Sequence, residues 1–306
     1  MDQKINNKNE MINNGDKSVL KYFKLDCKEQ LENLNKPWCD IMDALSEFRK
    51  EKSLDRAKKI ISFYYEFSDP KHAFIFRQLI INLLTLDVPI DISDPLQYYT
   101  EKNHELGVFL FNIHTYLSFK YNKTDMLYDY LKLVHEPKKK NTDYFIFMYY
   151  SGIINTNNNK FKIGFAQLKE AIKAKRLRKF FYNDFLLVSL IGFNLPNLEI
   201  KHPYYKLKEC IKIGLVSQVE SLIPFNSQLY EMLIIYLPLV SFRNLLFRLY
   251  TNPLLKLDFN MFKLKKNEIY LYVLNCIDQG LIRANINLDK ELIIFSKLTP
   301  FINILE

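Results

Sequence analysis

Residues 169–181 read KEAIKAKRLRKFF, and between 160 and 180 eight basic residues stand against one acidic. Lys173, Lys175, Arg176, Arg178 and Lys179 crowd the expected end of a helix. One or two cations at a helix C-terminus complement its dipole, worth roughly 0.3–1 kcal/mol. Five like charges in a row repel one another, so the pattern points to a polyanion or an acidic partner. The plain alternative is a solvated face in a lysine-rich chain. A second basic set, Lys263, Lys265, Lys266, Arg283, Lys290 and Lys297, surrounds a helix expected at 268–279 and the hairpin after it. With Ile269, Val273, Cys276 and Ile277 turned to a core, that helix presents Leu271, Asn275 and Asp278, and no Lys or Arg lies from 267 to 282. Reading bases in the major groove needs cations or several amides on the exposed face. The expected binding is therefore to phosphate backbones, weakly sequence-specific and strongly salt-dependent.

The segment LVSFRNLLFRLY, 239–250, raises a different possibility. On a helical wheel Phe242, Leu245, Leu246 and Leu249 cluster as a core stripe, with Ser241 as the expected N-cap. Arg243 and Phe247 are i, i+4 neighbours beside the stripe, and Asn244 and Arg248 fall on the far side. A cation in a first helical turn opposes the dipole, and arginine beside an aromatic ring is common at protein interfaces. Arg243, Phe247 and Arg248, with Leu271 and Asn275, are the candidate partner contacts.

Catalytic and metal signatures are missing from the sequence. His72, His104, His114, His135 and His202 form no HExxH and sit at no metal spacing with cysteine. Glu101 and Glu105 are a solvated i, i+4 pair, and GxSxG, GxGxxG and phosphate-loop patterns are absent from the chain. The expectation is a non-enzyme with no catalytic residue, cofactor, metal or small-molecule substrate.

The elements that must position these residues are helical. The chain has 306 residues, 48% hydrophobic and 15% aromatic, with only 7 glycines, which disfavours a turn-rich β fold. Its net charge of +9 lies entirely in the second half: 22 basic and 22 acidic residues precede 160, and 21 basic and 12 acidic follow. Cys27, Cys39, Cys210 and Cys276 have no CxxC spacing and read as reduced thiols, Cys210 and Cys276 as core fillers. The longest apolar run, MLIIYLPLVSF, is too short to span a bilayer.

Residues 1–18 are expected to be a disordered tail and 19–140 helical hairpins. Asp69-Pro70 opens one helix as N-cap and first residue. In 144–175, Tyr149, Tyr150, Gly152, Phe161, Phe165, Ala166 and Ala171 are spaced as in a tetratricopeptide-type hairpin. Ser217–Glu220 has the capping-box pattern. From 239 the order changes to helix, strand LLKLDF, a brief helix or turn NMFKLKKN, helix EIYLYVLNCIDQ ended by Gly280, and strands LIRANI and ELIIFSK around the turn NLDK. The expected architecture is a mainly α, right-handed helical-repeat superhelix over 19–238, with 239–306 a winged helix bearing a small β-sheet.

Helical hairpins running into a terminal winged helix resemble the PCI domain. Within that family the chain most resembles the PCI subunits of transcription and export complex 2. NTNNNKFKIGFAQLKEAI, NDFLLVSLIGFNLPNLEI, KLKECIKIGLVSQVESLI, VSFRNLLFRLY and LNCIDQGLIRANINLDKELIIFSKLTPF carry the likeness over 140–306. The resemblance implies a PCI domain split as 141–238 and 239–306 and a non-enzymatic scaffold in nuclear mRNA export at the nuclear pore. It implies pairing, winged helix to winged helix, with a larger PCI scaffold, a small acidic protein stapling that scaffold, and a basic surface for RNA or DNA, with no membrane partner. Proteasome-lid and signalosome subunits share the architecture and are the alternative, purely structural, cytoplasmic and nuclear.

Overall fold

Apolar residues at helical spacing, broken by short polar turns, dictate helices that bury one face against the next in sequence. The computed structural model describes residues 10–24, 34–86, 89–192, 195–256 and 264–305. It is mainly helical, with a small three-stranded antiparallel sheet. The chain divides into two compact units, Met1–Phe147 and Met148–Glu306.

The first unit holds α1 (Trp38–Lys50), α2 (Leu54–Ile61), α3 (Ala73–Leu83), α4 (Ser93–Lys102), α5 (His104–Lys120), α6 (Leu127–Leu133) and the start of α7 (Thr142–Asn157). Its core is aromatic. Trp38 meets Phe67 edge-on, Phe67 stacks on Phe76, and Phe76 packs against Tyr99. Asp69 accepts from the Lys71 N–H at 3.0 Å, as the Asp69-Pro70 signal requires, but the turn it opens is a 3₁₀ turn, Pro70–His72, that leads into α3. Residues 10–18 correct the expected tail. They form helical turns that bury Ile12, whose carbonyl lies 3.1 Å from His72 Nε2. The rest of that tail, 1–9, lies outside the described residues.

The second unit continues α7 and adds α8 (Phe161–Ala171), α9 (Arg178–Ile191), α10 (Tyr205–Ile213), α11 (Val216–Val219) and α12 (Tyr230–Leu249). α7 and α8 cross at glycine. A Cβ on Gly152 would meet the Gly164 carbonyl at 3.0 Å, and one on Gly164 would meet the Gly152 carbonyl at 2.8 Å. Tyr149 stacks on Phe181 and Phe165 on Phe185, tying α7 and α8 to α9. Ser217 is no N-cap: it lies exposed inside α11.

α12 is the main departure from the sequence reading. The expected boundary between residues 238 and 239 falls inside a single 20-residue helix, which runs through Pro238. Ser241 is therefore a buried mid-helix residue and caps nothing at an N-terminus. This helix is long and apolar enough to cross a membrane by length and composition, and 67% of its most apolar window is buried within the protein. After it come β1 (Leu254–Lys256), α13 (Lys266–Asp278), β2 (Ala284–Asn287) and β3 (Leu292–Phe295), with strand order β1-β3-β2. Ala284 pairs with Phe295 and Leu254 with Ile294, and the buried face of β3 presents Ile293 and Phe295.

The turn between α10 and α11 depends on Gly214, at φ +84°, where a Cβ would lie 2.6 Å from the Leu245 Cβ. Both strain and overlap follow from any side chain there. Gly214→Val is expected to lower stability by about 2–4 kcal/mol, read as a shift of the urea midpoint at unchanged slope.

Candidate partner and nucleic-acid surfaces

The polar residues of LVSFRNLLFRLY meet the end of another helix. A helix leaves its last carbonyls without intrahelical donors. On α10 the Ile211 and Ile213 carbonyls are taken up by one face of α12, which also reaches the Cys210 carbonyl, already an acceptor for the Gly214 and Leu215 N–H groups at 2.9 Å. Ser241 Oγ donates to the Cys210 carbonyl at 3.4 Å, Asn244 Nδ2 to Ile211 at 2.9 Å, and Arg248 Nη1 to Ile213 at 2.9 Å. The spacing 241, 244, 248 places the three donors along one helical face.

Arg243 is the largest correction. It was expected on an exposed edge, yet it is buried at 7% exposure. Its Nη1 donates to Asn244 Oδ1 at 3.0 Å, and its guanidinium lies 5.7 Å from the Phe301 ring centre. Burial suits a guanidinium whose charge rests on a ring face and an amide oxygen. Phe247 is 53% exposed and meets Phe301 edge-on, in a cluster with Tyr250 and Phe295. Of the five expected partner contacts, Phe247, Arg248, Leu271 and Asn275 are exposed and Arg243 is not. Leu271 and Asn275 lie on α13 opposite buried Ile269, Val273 and Cys276, as the wheel requires. They line a groove with Ile234, Ile235 and Pro238 of α12, whereas Phe247 and Arg248 line another with Lys212, Ile213 and Asn244. Sequence reading missed those three, although a proline inside an apolar helical run marks a backbone acceptor left without its donor.

The basic residues fall into distinct places. Lys173 lies past the end of α8 and pairs with Glu170. Lys175 and Arg176 are exposed in the turn. Arg178 and Lys179 belong to the first turn of α9, not to the end of α8, and that turn contains no carboxylate. Arg178 Nε donates to the Ile172 carbonyl at 2.9 Å, and Lys179 Nζ sits 4.9 Å from the centre of the Phe180 ring, itself 63% exposed.

The terminal set divides between the two ends of the hairpin. Lys266 Nζ contacts Glu291 Oε1 at 2.5 Å, which brings the start of α13, with Lys265, to the turn that carries Lys290. Arg283 and Lys297 flank the other end, where the Ser296 N–H donates to the Arg283 carbonyl and Arg283 Nη1 to Thr299 Oγ1 at 3.0 Å. Lys263 lies outside the described residues.

Cys276 is fully buried, and burial pushes its thiol up to about 12, with Arg243 opposing. Burial also raises the Asp184 carboxyl, against hydrogen bonds donated by Tyr149 at 2.7 Å and Ser227 at 3.3 Å. Among the described residues no three His, Cys, Asp or Glu side chains gather to hold a metal. No protein-family model matches the chain, and no curated protein matches it.

Asn244→Leu leaves the Ile211 carbonyl buried without its donor and is expected to cost about 1–3 kcal/mol in chemical denaturation. Asp184 gives a pH signature. Its folded pKa is raised, so its contribution is present below the unfolded carboxylate value of about 4 and is lost as pH rises through the folded value. Asp184→Asn should therefore raise the thermal midpoint more at pH 7 than at pH 4; an equal shift at both would refute the assignment.

Proposed function

We propose that this protein is a non-enzymatic adaptor of the PCI type in nuclear mRNA export, placed at the nuclear pore. It pairs with a larger PCI scaffold, itself bound by a small acidic protein, and contributes a basic surface that binds RNA or DNA through the phosphate backbone. The sheet and α13 following α12 fit a winged helix, and the α7–α8 crossing fits a helical repeat; both support the reading at the level of architecture.

The observation that carries the nucleic-acid half is the position of Arg178 and Lys179. Cations in the first turn of a helix oppose its dipole, and no carboxylate in that turn compensates them. With Lys175 and Arg176 exposed just before, four cations lie within five residues at a helix N-terminus, a combination that attracts a phosphate group. Phe180, exposed beside Lys179, offers a ring on which an unpaired base can stack.

Filter binding of a single-stranded 20-mer across a salt series tests this. Affinity should fall steeply with salt, with a logarithmic slope of about −0.7 for each phosphate neutralised on a single strand. Lys175→Glu, Arg176→Glu and Lys179→Glu together should weaken binding at least tenfold and flatten the slope. No binding at low salt, alone or with the co-purified partner, sinks the nucleic-acid reading. Recovery of a proteasome-lid or signalosome assembly by affinity purification would replace the export assignment with a structural one.

A further inference from the structure

The groove between α12 and α13 differs in character from the rest of this basic chain. Its volume is about 620 Å³. Ile235 at 50% exposure and Leu271 at 59% stand on its two walls, with Ile234 beside Ile235. Large aliphatic side chains left open on facing helices mark a contact surface. The groove is also rich in acceptors. Glu220 and Glu268 line it, and Pro238, which has no N–H, leaves the Ile234 carbonyl without its usual i+4 donor. Among the described lining residues no Lys or Arg is present, although the protein carries a net charge of +9.

An apolar floor and two carboxylates together select a ligand with aliphatic side chains and cationic donors. The carboxylates, with no Lys or Arg among the described lining residues, argue against a nucleic acid there. The same carboxylates argue against a small acidic protein. A helix with an aliphatic stripe can lie between two helices, its flanking lysines or arginines reaching the rim. We infer that the α12–α13 groove is a docking site for an amphipathic, positively charged helix of a protein partner, anchored on Leu271 and Ile235 and oriented by Glu220 and Glu268. This rests on the adaptor reading only in requiring a protein partner, and it names a surface separate from the cationic turn before α9.

Two labelled 18-residue helical peptides with the same leucine stripe, one flanked by lysines and one by glutamates, provide the test by fluorescence anisotropy on the full chain. The lysine-flanked peptide should bind at least tenfold more tightly, the reverse of what a protein of net positive charge does without a specific site. Leu271→Asp, and independently Ile235→Asp on the opposite wall, should each weaken it at least tenfold. Glu220→Lys with Glu268→Gln should abolish the preference between peptides; glutamine at 268 retains an acceptor for the Lys265 N–H, which donates to Glu268 Oε2 at 2.8 Å in the native protein. Equal binding of both peptides, tighter binding of the glutamate-flanked one, absence of binding, or indifference to both aspartate variants overturns the proposal. Oligonucleotide binding by the same variants should stay within twofold of the native protein. If it persists while neither peptide binds, the groove proposal falls and the nucleic-acid reading stands.

Discussion

The second unit is organised by one helix terminus. The last carbonyls of α10 must find donors, because a buried carbonyl without one costs about 1–3 kcal/mol. α12 supplies one from Asn244 to the buried Ile211 carbonyl and one from Arg248 to Ile213, and Ser241 adds a third contact at the Cys210 carbonyl, which the Gly214 and Leu215 N–H groups already reach. That requirement fixes how α12 lies on α10, brings Leu245 against Gly214, and so closes the turn into α11. It also sets the rotation of α12 about its axis. With the polar face committed to α10, Phe242 and Leu246 are buried, and Arg243 is carried inward onto Phe301.

This rotation is why a helical wheel misplaced Arg243. A wheel divides a helix into an apolar side and a polar side and assigns the polar side to water. α12 has neighbours on more than one side: it packs on α9, α10, α11 and α13. When one neighbour presents bare carbonyls, polar side chains are the better filling for a buried interface, since an apolar residue there would leave acceptors unpaired. Leu245 and Leu249, assigned to the core by hydrophobicity, are only half-buried. Phe247 was read as exposed, and it is, beside the aromatic cluster of the sheet.

The two charged regions follow a related logic. The turn between α8 and α9 keeps Lys175, Arg176 and Lys179 exposed, so its charge is available to a ligand. Around the sheet, charge is partly offset: Lys266 pairs with Glu291, while Arg283 donates to the neutral Thr299 hydroxyl. The five described cations of the set read as one surface in the sequence lie at two ends of a short hairpin, because strand pairing of Ala284 with Phe295 separates Arg283 from Lys290 by the length of the strands. The acceptor-lined groove between α12 and α13 lies in the same unit as these cations, so one unit offers surfaces of opposite character.

Periodicity alone determined the helices, the hairpin of β2 and β3, the turn at Gly280 and the burial of Ile269, Val273 and Cys276, because each depends on residues close in the chain and on a single packed face. The clustering of cations near 175 was also legible, since charge density needs no fold to be counted. What only tertiary structure decided was the continuity of α12 through Pro238, the ordering of residues 10–18 by the Ile12–His72 contact, the inward turn of Arg243, and the groove that joins Ile235 to Leu271. Each of these is a pairing between segments distant in sequence, where a donor finds an orphan acceptor or an apolar wall finds its opposite, and no local pattern encodes which distant partner will be there.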